Sequence, residues 1–176
     1  MCWRSRRLKL FGLPVSVPPD RIGWPAPSRW EIDDWETRYR LDFGALEDLA
    51  RQTLPTFYVR PRTARAWPAA GDPVLLADID FQTLVESSLD RTVSWEATRA
   101  TGLNGVVLFF ELEFDSGARL STRPSEADEG THWLSQVWML PEAWAVQPGD
   151  RLSMTYRYRT GRAAEGLQVS RLPTPA

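Results

Sequence analysis

Two kinds of spacing divide this chain. From residue 57 onward, apolar and polar positions alternate with a period of two. Val93, Trp95 and Ala97 interleave with Ser94, Glu96 and Thr98; Phe110, Leu112 and Phe114 interleave with Glu111 and Glu113. Leu152, Met154, Tyr156 and Tyr158 interleave with Ser153, Thr155, Arg157 and Arg159. Successive strand side chains point to opposite faces, so these segments predict strands with one wet and one buried face. Asp115-Ser116-Gly117 and Pro148-Gly149-Asp150 predict tight turns between them. Upstream the spacing is helical. Phe43, Leu46, Leu49, Ala50 and Leu54 recur at about one turn, Asp42 stands at the N-cap position, and Pro55 ends the run. This predicts a helix over 42–54. Residues 1–27 carry Pro14, Pro18, Pro19, Pro25 and Pro27. Proline has no N–H, so this stretch reads as an extended lead-in, with at most an edge strand near Leu13 to Val17. Many short strands, short turns and a single helix predict a mainly β fold, an antiparallel sandwich or barrel.

Composition adds limits. The 176 residues are 43% hydrophobic and 25% charged, enough for one globular domain over residues 28–176. The formal net charge of -2 gives no bulk attraction to nucleic acid. Arg4, Arg6, Arg7 and Lys9 cluster at the start and are expected to fray into solvent. That start resembles the charged region of a signal peptide, but Gly12 and Pro14 break its apolar stretch and no small-residue cleavage pattern follows. No run approaches the roughly 20 apolar residues that span a bilayer. With one cysteine, Cys2, and one histidine, His132, neither an internal disulfide nor a metal site is expected. These features together point to a cytoplasmic protein.

Chemistry-bearing motifs are scarce. There is no G-x-S-x-G nucleophile turn. Thr101-Gly102-Leu103-Asn104-Gly105 leads into a strand, not a helix, so it is not a nucleotide fingerprint, and no βαβ unit is visible. Taken alone, His132 reads as a structural histidine. Nine tryptophans supply core or interface area; exposed ones would suit the sugar-stacking platform of a carbohydrate-binding β-sandwich.

Leu120-Ser121-Thr122-Arg123-Pro124, then Thr131-His132-Trp133, then Gln147-Pro148-Gly149-Asp150 resemble, in order, the C-terminal β-barrel of protein arginine methyltransferases. Trp35-Glu36-Thr37-Arg38-Tyr39-Arg40-Leu41-Asp42-Phe43 resembles the signature that opens that family's dimerisation arm, and Pro73–Phe81 resembles its strand with an Ile/Val-Asp pair. The pattern departs at three places. Arg40 stands where the family usually has glycine, the loop from Ser125 to Gly130 is long and acidic, and Leu134-Ser135 replaces a frequent Lys-Gln. The resemblance implies an antiparallel β-barrel with one inserted helical arm at about 35–55. It implies no bound cofactor in this chain and S-adenosylmethionine in a missing or partner domain. By the same resemblance His132 would pair with a carboxylate of that domain as the catalytic contribution of the barrel. Thr131 and Trp133 would line the arginine channel, with Glu126 and Glu129 attracting a cationic peptide. Trp35, Tyr39, Asp42, Phe43, Leu46 and Leu49 would form the dimerisation arm. The implied partners are a methyltransferase domain or a second copy, and an arginine-containing substrate. A non-catalytic interaction module derived from the barrel is the alternative reading.

Overall fold

A computed structural model describes residues 4–19, 29–45, 56–84, 88–128, 131–159 and 164–173. Its elements run β1 (Ser5–Val15), α1 (Arg29–Tyr39), β2 (Thr56–Val59), α2 (Pro61–Ala64), β3 (Val74–Asp80), β4 (Leu89–Glu96), β5 (Thr101–Phe114), β6 (Arg119–Ser121), β7 (Ser135–Val146), β8 (Arg151–Arg159) and β9 (Ala164–Arg171). The protein is mainly β, as the alternation requires. The three segments singled out for their period of two lie on β4, β5 and β8. Gly117 and Gly149 take positive φ, at 80° and 94°, in the two turns that need it.

The strands form two sheets. The larger is ordered β2-β7-β5-β1-β3, with β6 on the end of β5; the smaller is β4-β8-β9. Every ladder within these sheets is antiparallel among the described residues. Among the described residues no ladder joins β3 to β4 or otherwise closes the two sheets into a barrel. Alternation along a strand fixes which face is buried, but it is the same whether one sheet curls round or two sheets stack.

Burial on both faces of β5 makes it the centre of the molecule. On one face Val107 packs with Val15, Val137, Met139, Ala64 and Trp67, so the α2 segment covers that side. On the other face Val106 and Leu108 meet Met154, Tyr156 and Leu167 of the small sheet. The sheets approach most tightly at Gly12, where a Cβ would stand 2.7 Å from Met154 Sδ and 3.1 Å from Val106 Cγ1. A glycine there lets β1 and β8 share one core.

Three expectations fail here. The lead-in was expected to hold at most an edge strand, yet β1 lies inside the large sheet, paired to both β3 and β5. Pro14 is tolerated because the β3 ladder has ended at Gly12, opposite Val74. The Pro14 carbonyl turns away from β5 to accept from the Ala70 N–H at 2.9 Å, so the missing N–H falls outside the β5 ladder. Arg7, expected to fray, is instead fixed on β1 by a two-point pair with Asp78, Nη2 to Oδ2 at 2.6 Å. A second helix, α1, also precedes the predicted one. Arg38 in its last turn suits the negative end of the helix dipole, and Asp34 pairs with Arg38 one turn on at 3.1 Å.

Candidate functional site

The Thr131-His132-Trp133 loop lies between β6 and β7, and β5 supplies the floor beneath it. Trp133 is 53% exposed yet ordered against Phe110, ring centroids 5.4 Å apart and planes at 89°. That edge-to-face contact is one of the favoured aromatic geometries. Phe110 is in turn held by Thr122, which is fully buried. The Thr122 hydroxyl accepts from the Phe110 N–H at 2.9 Å and donates to its carbonyl at 3.0 Å, and the Thr122 N–H also donates to that carbonyl. A single side chain thus substitutes for a strand rung where β6 ends. The loop carries its own local contact, Trp133 N–H to Thr131 Oγ1, long at 3.4 Å. His132 is exposed and makes no side-chain bond among the described residues.

The described part of the acidic loop that follows β6 is anchored at Pro124 and Ala127. Arg65, just past α2, donates from Nε to the Pro124 carbonyl and from Nη2 to the Ala127 carbonyl, both at 2.9 Å. Arg123 lies over the stacked rings of Phe109 and Phe11, 5.3 and 5.4 Å from their centroids. It pairs with Glu111 at 2.7 Å and with Glu126 at 3.4 Å. Glu126 also accepts from the Ser121 hydroxyl at 3.2 Å. It is therefore an already compensated carboxylate, 59% exposed at its side chain, rather than a bare one. Glu129 lies outside the described residues.

The arm residues form a separate cluster. Trp35 and Tyr39 of α1 each meet Phe43 edge-on, at 6.0 and 6.3 Å. The Glu36 carboxylate accepts from the Phe43 N–H at 3.1 Å. Asp42 caps as its position predicts, with Oδ1 2.8 Å from the Gly44 N–H, and Gly44 and Ala45 are helical. Leu46 and Leu49 lie outside the described residues. Ile32 is buried, but Tyr39 and Leu41 are 59% and 62% exposed. Between the two helical pieces, Arg40 closes α1 with a bond from its N–H to the Glu36 carbonyl at 2.9 Å, and its φ is 54°. The residue standing at the family's glycine position therefore adopts the left-handed conformation that favours glycine.

The residues that hold the loop, Thr122, Phe110, Arg123 and Arg65, were not singled out from the sequence for that task. Thr122 and Arg123 lie inside the Leu-Ser-Thr-Arg-Pro segment, and that motif was the one available signal. The described ladders contain no parallel pair. No described group of three or more His, Cys, Asp or Glu residues is arranged to hold a metal ion.

Comparison with known proteins agrees with this arrangement. Residues 27–165 match the arginine methyltransferase oligomerization subdomain. The chain is 27% identical over 128 residues to protein arginine N-methyltransferase 2 of Xenopus tropicalis, covering 68% of this chain and 29% of that protein. It resembles the fold of Arabidopsis thaliana protein arginine methyltransferase 10, with a TM-score of 0.56 and 17% identity over 95% of this chain and 59% of that one. It also resembles the Trypanosoma brucei PRMT1 enzyme-prozyme heterotetrameric complex with AdoHcy, with a TM-score of 0.62 and 14% identity over 96% of this chain and 56% of the other. The chain thus spans less than two thirds of the length of these relatives. With the subdomain match extending over most of its residues, the chain belongs to the family of arginine methyltransferase oligomerization subdomains.

Proposed function

We propose that this chain is the substrate-facing and self-associating half of a cytoplasmic arginine methyltransferase, inactive until a domain carrying the methyl donor is opposed to it. The observation that carries this reading is the loop: Trp133 stays half-exposed while its floor, Phe110, is pinned by Thr122. Methyl transfer to a guanidinium nitrogen needs an aligned nitrogen and a water-poor wall. In this reading Trp133 and Thr131 form that wall. His132, without a side-chain bond among the described residues, meets a carboxylate of the opposed domain. Glu126 and Glu129 lend the approach a negative field for a cationic peptide. The two sheets, brought together round their common core, act as the family's barrel.

The arm supplies the association. Trp35, Tyr39, Asp42, Phe43, Leu46 and Leu49 form the docking element, and the exposure of Tyr39 and Leu41 leaves apolar area for a second copy or a catalytic subunit to cover. The named oligomerization subdomain and the heterotetrameric assembly of the Trypanosoma brucei protein support this part.

The test is reconstitution. The purified chain is mixed with the S-adenosylmethionine-binding domain of an arginine methyltransferase, and methylation of an arginine-rich peptide is followed. Activity that requires the chain, and that falls by at least about tenfold in His132→Ala, is expected. Association without activity would leave a non-catalytic module. Tight binding of S-adenosylmethionine by the chain alone, or glycan binding dependent on Trp133, would overturn the proposal.

A further inference from the structure

Toward the end of β3, where no described ladder joins it to β4, the two sheets border a cleft of about 600 Å³. That volume lies in the range of sites that take a small molecule. Leu8 is opposite Ile79 and Leu10 opposite Ala77, so these four lining residues share one face of the large sheet and make an apolar floor. The chemistry of the remaining walls is one-sided. Phe81, Tyr156 and Tyr158 are aromatic, Asp78 and Asp80 are acidic, and no described basic residue lines the cleft.

The two acids are not equivalent. Asp78 is held at two points by Arg7, and Lys9 and Arg91 also act on its charge, so it is already compensated. Asp80 has no ion pair among the described residues. It is the last residue of β3, and its Oδ1 accepts from the Gln82 N–H at 2.9 Å, which leaves Oδ2 without a described partner. The next residue, Phe81, is tied to β1 by its N–H, which donates to the Arg6 carbonyl at 2.9 Å. This turn therefore presents an unpaired carboxylate next to an anchored aromatic residue. Phe81 and Tyr158 are 41% and 39% exposed, so solvent reaches both rings. The faces of aromatic rings carry negative potential and attract cations, and substituted ammonium groups are recognised in this way.

We propose that this cleft binds an organic cation, a substituted ammonium lying against Phe81, Tyr158 and the Asp80 carboxylate with its apolar chain along Leu8, Ile79 and Leu84. Charge and shape agree: the charged lining is acidic alone, the rings favour a weakly hydrated cation, and the chain replaces water over the apolar floor. This site is independent of the loop at Trp133 and does not rest on the methyltransferase reading.

The experiment titrates the full chain with decyltrimethylammonium, decanol and decanoate below their micellar concentrations, by calorimetry and methyl NMR. Decyltrimethylammonium is expected to bind saturably at one site, to shift the methyls of Leu8, Ile79 and Leu84, and to bind more tightly than decanol, with decanoate weakest. Asp80→Asn keeps an oxygen for the Gln82 N–H and should weaken the cation by about fivefold while leaving decanol unchanged. Tyr158→Leu keeps an apolar wall without the ring face and should weaken the cation by about threefold, again sparing decanol. No saturable binding of the cation, decanoate binding as tightly, or an Asp80→Asn variant with unchanged cation affinity would each overturn the proposal. So would a Tyr158→Leu variant that weakens cation and alcohol alike.

Discussion

The wall of β1 and β5 beneath Arg123 and the arm around Phe43 are made of similar material, aromatic rings beside charged side chains, and hold it differently. On the wall, Phe11 and Phe109 stack at 5.1 Å, Arg123 covers both rings, and two acids hold Arg123. Phe109 is 1% exposed. On the arm, the rings touch edge-on at 6.0 Å or more, and Tyr39 and Leu41 remain largely exposed. The wall is finished with the chain's own residues. The arm presents apolar surface that no described residue covers.

The sharpest way to break this comparison is truncation on each side. Phe109→Ala should cost about 3–5 kcal/mol of stability in denaturant unfolding, whereas Tyr39→Ala should change it by less than about 1 kcal/mol. Equal losses would mean that the arm is as much a part of the core as the wall. Thr122→Val removes a hydroxyl that serves Phe110 twice and should cost about 1–3 kcal/mol. It should also speed hydrogen exchange at the Phe110 amide; an unchanged rate would show that Thr122 does not pin the floor beneath Trp133.

The arm yields a gain instead of a loss. Arg40→Gly relieves a left-handed backbone at the end of α1 and should raise stability by about 1 kcal/mol, visible as a higher melting temperature. A lower one would show that the arginine side chain matters more than its backbone. The smallest effect concerns Asp78, whose carboxyl is held below its ordinary value, first by the hydrogen bond from Arg7. A depressed value means the pair stabilises the fold above about pH 4, where the unfolded carboxyl is ionised, and this is lost as pH falls through the lowered value. With both side chains partly in solvent, Asp78→Asn should cost under about 1 kcal/mol at pH 7 and nothing in strong acid. A difference that persists in acid would exclude the ion pair as its cause.

Local periodicity made β4, β5 and β8 legible, together with the turns at Gly117 and Gly149 and the Asp42 cap. It hid β1, because Gly12 and Pro14 read as breaks when one is the point of closest approach and the other sits beyond the neighbouring ladder. It hid α1 too, where Ile32, Trp35 and Tyr39 are a thin apolar stripe among acids. The loop at His132 and Trp133 was visible as a motif. Its support was not: Arg65 reaches carbonyls 59 and 62 positions away, and such a contact leaves no local pattern.

Near the start of β5, the Asn104 side chain accepts from the Val17 N–H at 2.6 Å and donates to the Val17 carbonyl at 3.0 Å. The next residue is Gly105, and an asparagine before glycine is chemically fragile because the following amide nitrogen can attack the side-chain carbonyl. Here that carbonyl is engaged and the extended strand keeps the nitrogen from reaching it. The two bonds to Val17 therefore slow the protein's chemical ageing. Once deamidation does occur, a carboxylate faces the Val17 carbonyl, and the damage becomes a lesion in the fold.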